Sequence, residues 1–161
     1  MNSHEYNQSV DLYSDNVYRF ILKNIRDKDR ARDIVQDSYE KLWRNVENVN
    51  PEKVKSYLFT TAYHTMIDVI RKDKRLRSIE DYQVPEEPHE THYSDLSEVL
   101  SEAVKRLPGI QRTVILLRDY EGYSYKEIGE VTLLNEAQVK VYIYRARVFL
   151  KNYIGKMEVV L

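Results

Sequence analysis

Two pairs of polar residues constrain the C-terminal third of this chain more than anything else in it. Ser124 is followed three positions later by Glu127, and Asn135 by Gln138. Each pair is a capping-box signature, in which a small side chain caps a helix start and the later residue reaches back to the cap. The two starts lie eleven residues apart, enough for a short helix, a tight turn and a second helix. The second helix carries Val139, Ile143, Ala146 and Leu150 at the spacing of one buried face. Lys140, Tyr144, Arg147 and Lys151 fall on the opposite face. A short helix, a turn and a helix with a cationic, aromatic outer face fit the major groove as a helix-turn-helix does. The same periodicity also fits a helical hairpin whose basic face is merely solvated.

The rest of the chain extends the helical reading. At 161 residues it is long enough for one domain or two small ones. Four Gly and four Pro are too few for a sandwich or barrel, and 32% charged residues suit a helix-rich soluble protein. With no Cys, a disulfide framework and a Cys-containing zinc site are excluded. The polar N-terminus lacks the layout of a signal peptide, and no apolar run approaches the ~18 residues of a membrane span, so a cytoplasmic protein is expected. The net charge of −1 hides segregation: RKDKRLR at 71–77 holds five basic residues, whereas 79–98 holds seven acidic residues and no Lys or Arg.

Taken in order, the apolar spacing predicts a helix over 8–26, through Val10, Tyr13, Val17, Phe20, Ile21 and Ile25. A second, over about 31–46, buries Ala31, Ile34, Val35, Leu42 and Trp43, leaving Asp33, Gln36, Asp37, Glu40 and Arg44 on a polar face. A break at 48–51 precedes a third helix over 51–74, apolar along Val54, Leu58, Ala62, Thr65 and Val69. Its aromatics and its basic end suit unstacked bases and phosphates, although aromatics at helical spacing usually pack in a core. Residues 78–94 read as an acidic linker. His89 and His92 within it have no accompanying metal-ligand pattern. Beyond it, Leu96, Val99, Leu100, Ala103, Val104 and Leu107 mark an amphipathic helix, and 111–120 another. The fold class expected is all-α, two small helical domains at 1–77 and 95–161 joined by the linker.

No Gly-rich phosphate loop, HExxH or GxSxG is present, so binding rather than catalysis is expected, with no cofactor and no metal. ARDIVQDSYEKLW and SYLFTTAYHTMIDVIRKDKR resemble domain 2 of bacterial sigma factors. LPGIQRTVILLRDYEGYSYKEIGEV and NEAQVKVYIYRARVFL resemble their domain 4. The order and short spacing resemble the two-domain, extracytoplasmic-function (ECF) group of sigma factors.

That resemblance implies a protein that binds RNA polymerase core and directs promoter-specific transcription initiation, and that is not itself an enzyme. It implies a core-polymerase face at Asp33, Gln36, Asp37 and Glu40, docking on the clamp helices of the polymerase. It implies −10 promoter contacts from Asn48, Tyr63, His64, Arg71, Lys72, Lys74 and Arg75, around a pocket for a flipped base. It implies −35 contacts from Gln138, Lys140, Val141, Tyr144 and Arg145, with Arg147 and Lys151 on phosphates. It also implies an anti-sigma factor, of a kind that can be membrane-tethered. The chain departs from the family at His64, where Asn is usual, and at Leu133, where Gly is common; a left-handed Leu costs roughly 1–2 kcal/mol, so strain or an altered turn is expected. The rival readings are a stand-alone helix-turn-helix regulator, which needs a dimerisation surface, and a nucleic-acid-processing enzyme, which needs clustered carboxylates.

Overall fold

A computed structural model describes residues 1–80 and 96–158, the side chains of 75–80 and 158 excepted. Among these residues every regular element is helical. A first bundle contains α1 (Ser3–Ile25), α2 (Lys28–Arg44) and α3 (Val54–Glu80). A second contains α4 (Leu96–Arg106), α5 (Gly109–Ile115), α6 (Tyr125–Thr132) and α7 (Glu136–Glu158). This is the all-α, two-unit architecture expected from the pattern.

The helix ends follow from capping chemistry. α1 begins at Ser3, ahead of the apolar stripe, because Asn2 and Glu5 form a third capping box. The Glu5 N–H donates to Asn2 Oδ1 at 2.8 Å, and the Asn2 N–H donates to Glu5 Oε1 at 3.0 Å. Arg26 closes α1 in the left-handed region (φ 58°), and Asp27 caps α2, accepting from the Arg30 N–H at 3.2 Å. The expected break is two short 3-10 turns, Val46–Asn48 and Pro51–Lys53, which delay the start of α3 to Val54. α3 then runs to Glu80, into the stretch expected to be linker; the remainder of that stretch, with His89 and His92, lies outside the described residues. The helix expected over 111–120 starts earlier, at Gly109, and widens into a π-turn over Leu116–Tyr120.

Burial builds each bundle. Phe20 and Ile21 of α1, Leu42 of α2, and Leu58, Phe59 and Met66 of α3 are at most 2% exposed. Each such side chain stabilises the fold by about 1.5–3 kcal/mol relative to exposure. The Tyr39 hydroxyl donates to the Ser9 carbonyl at 2.8 Å and ties α2 to α1. Two apolar expectations are corrected. Trp43 is 51% exposed, one helical step past Leu42 and therefore off the buried stripe, with its ring against Tyr6 at 5.1 Å. Leu96 is exposed at the first position of α4, ahead of the core contacts that begin at Val99.

The two bundles pack together chiefly through α3 against α6 and α1 against α5. Phe59 is central: its ring lies 5.4 Å from Phe20 and 5.6 Å, edge-on, from Tyr123 of the second bundle. Lys55 pairs with Glu121 at 3.9 Å beside this contact. The Tyr123 hydroxyl is buried toward Ser56 without regular hydrogen-bond geometry, and burial raises its pKa.

Candidate nucleic-acid and polymerase interfaces

α6 and α7 form the expected helix-turn-helix, with both capping boxes in place. Ser124 Oγ accepts from the Glu127 N–H at 3.1 Å, and Asn135 Oδ1 accepts from the Gln138 N–H at 2.8 Å. Between them Leu133 adopts φ 63°, so the strain expected from a non-glycine residue at this position is present. The turn closes tightly because position 129 is glycine: a Cβ there would stand 2.7 Å from the Leu134 carbonyl oxygen. Val139, Ile143 and Ala146 are buried beneath the turn, which fixes the rotation of α7.

That rotation leaves Lys140, Val141, Tyr144, Arg145, Arg147 and Lys151 exposed. Val141 (45% exposed) and Tyr144 (70%) are large apolar groups facing water, flanked by cations. Such a mixture suits thymine methyls, base edges and phosphates. The cations are not equally free. Arg147 Nη2 donates to Asp119 Oδ1 at 2.9 Å, tying α7 to the π-turn. Gln138 Oε1 accepts from the Asn135 N–H at 3.0 Å, so its carbonyl serves the cap and its amide N–H groups face outward. Lys140 lies 5.7 Å from the Tyr125 ring, which the Arg118 guanidinium also approaches at 4.6 Å. Arg118 in turn donates to the Tyr123 carbonyl at 2.9 Å. Tyr125 and Arg118 thus brace the start of the outer face; neither stands in a periodic or capping signal for such a role.

On α3 the expected contacts divide. Arg71, Lys72 and Lys74 are exposed, and His64 is half-buried with its ring 5.2 Å from Tyr63. Tyr63 itself is 7% exposed, and burial raises its pKa. Its ring packs in the core, since position 63 lies beside the Phe59 and Ala62 stripe. Asn48 is exposed in its 3-10 turn, its Nδ2 donating to Asn45 Oδ1 at 3.0 Å. The Arg75 side chain lies outside the described residues.

The polar face of α2 is preserved. Asp33, Gln36, Asp37 and Glu40 are all exposed and line one shallow groove of about 290 Å³, bordered by Val69 of α3. Arg30, at the same groove, is engaged by Asp27 and Asp73. Among the described residues Asp33, Asp37 and Glu40 make no ion pair. The groove therefore carries unneutralised negative charge toward solvent. Among the described residues no group of three His, Cys, Asp or Glu is placed to hold a metal, and no helix is long and apolar enough to cross a membrane.

Two helical bundles, one bearing a helix-turn-helix and the other an acidic groove beside a basic helix end, have the form of a DNA-binding protein of the helix-turn-helix class. Comparison with known proteins gives that class its family. A family model described as Sigma-70 region 2 matches residues 10–76, and one described as Sigma-70, region 4 matches residues 97–150. RNA polymerase sigma factor SigV of Bacillus subtilis (strain 168) is 35% identical over 144 residues, covering 88% of this chain and 86% of the relative. ECF RNA polymerase sigma factor SigM of the same organism is 30% identical over 147 residues, covering 87% of this chain and 89% of that one. The sigma factor RpoE of Bartonella quintana, solved with the anti-sigma factor NepR, shares the fold with a TM-score of 0.75 at 24% identity, covering 93% of this chain and 96% of that one. The chain belongs to the ECF RNA polymerase sigma factors and directs transcription initiation.

Proposed function

We propose that the two bundles divide the work of initiation, with the first domain at 1–77, a connecting stretch at 78–94 and the second domain at 95–161. The acidic groove of α2 docks RNA polymerase core through Asp33, Gln36, Asp37 and Glu40. Acidic and amide groups at such a rim set orientation and association rate more than raw affinity. Asn48, His64 and the exposed Arg71, Lys72 and Lys74 engage the −10 element, His64 standing at the mouth of the flipped-base site and the three cations on phosphates. Tyr144, Arg145, Lys140 and Val141 of α7 read the −35 element, with Gln138 beside them and Arg147 and Lys151 on the backbone.

The observation that carries this reading is the rotation of α7. Burial of Val139, Ile143 and Ala146 beneath a capped turn turns one continuous apolar and cationic face outward. The protein performs no covalent chemistry of its own in this scheme; polymerase core supplies the catalysis. A solved relative carries an anti-sigma factor, and we assign this chain a partner of the same kind, soluble or membrane-tethered, acting in the cytoplasm. The test is run-off transcription by core polymerase on a genomic promoter library, with and without the protein. Promoter-specific transcripts are the expected outcome. A chain that binds promoter duplexes in the absence of polymerase, and changes no transcript start, would instead be a stand-alone regulator.

A further inference from the structure

Where the bundles meet, a cleft of about 300 Å³ opens between α1 and α4. Lys23, Arg26 and Lys28 line it from the first bundle and Lys105 from the second, over an apolar floor of Leu22 and Val104. No Asp or Glu is among the described residues lining it. Tyr120 forms one side, its ring centroid 3.9 Å from the Lys23 ammonium.

Carboxylates within reach answer only part of this charge. Glu102 lies 3.9 Å from Lys105 but is shared with Arg106 at 3.3 Å. Glu121 offsets Lys23 incompletely, since burial and Arg19 still hold that ammonium below its usual range. Asp27 and Asp29, which flank Lys28 in sequence, are drawn to Arg30 at 3.6 Å and to Arg32 at 4.0 Å. Arg26 and Arg112 both donate to the Lys105 carbonyl oxygen. Among the described residues neither Arg26 nor Lys28 has a carboxylate partner. The Arg112 Nε beside them is buried without a hydrogen bond. Cations held together without matching anions are costly, and charge-assisted hydrogen bonds to an incoming anion relieve that cost.

We propose that this cleft binds a small anion carrying two or more phosphate groups, such as a nucleoside diphosphate, and that the bound anion holds the two bundles together. The volume lies at the lower end for small-molecule sites, so a DNA duplex can only lie across its mouth. Phosphates fit the four cations, and the Leu22, Val104 and Tyr120 walls accept an apolar or aromatic remainder. Because the walls come from both bundles, the ligand binds only their packed arrangement and stabilises it by mass action. The effect on transcription rests on the function proposed above; the binding does not.

Calorimetric titration of the full chain with pyrophosphate, ADP and adenosine tests the site. Pyrophosphate and ADP bind and adenosine does not. Lys28→Gln and Lys23→Gln each weaken binding by about tenfold, one charge-assisted contact apiece, and Arg145→Ala leaves it unchanged. A circular-dichroism melt of Lys28→Gln, altered at an exposed first-turn position, keeps the comparison with a folded protein. Absence of binding by both phosphates, or equal affinity in wild type and both lysine variants, overturns the proposal. So does displacement of neither phosphate's heat but loss of duplex binding in Lys28→Gln, which assigns the cations to DNA. With one spin label in each bundle, ADP narrows the distance distribution and lowers run-off transcription. Binding with no change in either readout overturns the claim that the anion holds the bundles together. A chain inactive in run-off transcription but intact in titration sinks the sigma-factor assignment of the surfaces and leaves the cleft standing.

Discussion

The Thr113 hydroxyl on α5 donates to Asn24 Oδ1 on α1 at 3.0 Å, a buried hydrogen bond between residues 89 positions apart in the sequence. Asn24 Nδ2 donates in turn to the Phe20 carbonyl at 2.8 Å, so the amide is held within α1 and points its oxygen at the other bundle. Thr113→Val preserves the shape of the side chain but strands that oxygen in a buried site. The expected loss is about 1–3 kcal/mol of stability, read from urea unfolding. Asn24→Leu with Thr113→Val removes both partners together and is expected to be less destabilising than the two single losses summed.

The helix-turn-helix supplies a second test. Leu133 combines a left-handed backbone with 78% exposure, so its side chain returns little for the strain. Leu133→Gly is expected to stabilise the protein by about 1 kcal/mol, seen as a higher unfolding midpoint, with promoter preference retained. Gly129→Ala acts oppositely, because its methyl group meets the Leu134 carbonyl, and lowers the same midpoint.

Much of this site was legible from short-range chemistry. Ser124 with Glu127 and Asn135 with Gln138 announce their helices because a cap needs only residues within one turn. Asn2 with Glu5 carries the same signal, which the later start of the apolar stripe obscured. Trp43 falls off the buried side that its spacing suggests, since a residue one step from the stripe is decided by what packs there. The seam between bundles was illegible: Asn24, Thr113 and Glu121 look like ordinary surface polar residues until two distant helices are brought together.

Asp37→Lys tests the polymerase face. Asp37 is exposed and makes no ion pair among the described residues, so reversal leaves the fold intact. The expected result is weaker binding to core polymerase, chiefly through slower association. Unchanged affinity would remove α2 from the interface.

Arg145→Ala separates base reading from backbone contact. Arg145 is exposed, with its guanidinium 6.0 Å from the Tyr142 ring and no carboxylate partner among the described residues. Specificity at the −35 element is expected to relax by ~1–3 kcal/mol in competition binding with substituted promoters. A uniform loss across all sequences would mark Arg145 as a phosphate contact.

The seam also has a pH dependence. Burial raises the Glu121 pKa above the ordinary carboxylate range, with Lys55 and Lys23 lowering it only in part. The folded chain therefore holds this proton more tightly than the unfolded chain. The resulting stabilisation is full below the unfolded pKa and is lost as pH rises through the elevated folded pKa. Glu121→Gln removes that slope. Urea unfolding at stepped pH should show the wild type losing stability relative to the variant across this window, and a constant difference above it.

The contact of Phe59 with Tyr123 has a consequence for how a promoter is met. Elements at −35 and −10 are separated by about 25 base pairs, or ~85 Å of duplex at ~3.4 Å per pair. A folded chain of this length is only ~40 Å across, from a radius of gyration near ~15 Å. If the two bundles bind these elements as proposed, a chain with these rings together spans only one of them at a time. On the division of work proposed above, engaging both elements requires the rings to part, so the Phe59–Tyr123 contact works against simultaneous promoter engagement.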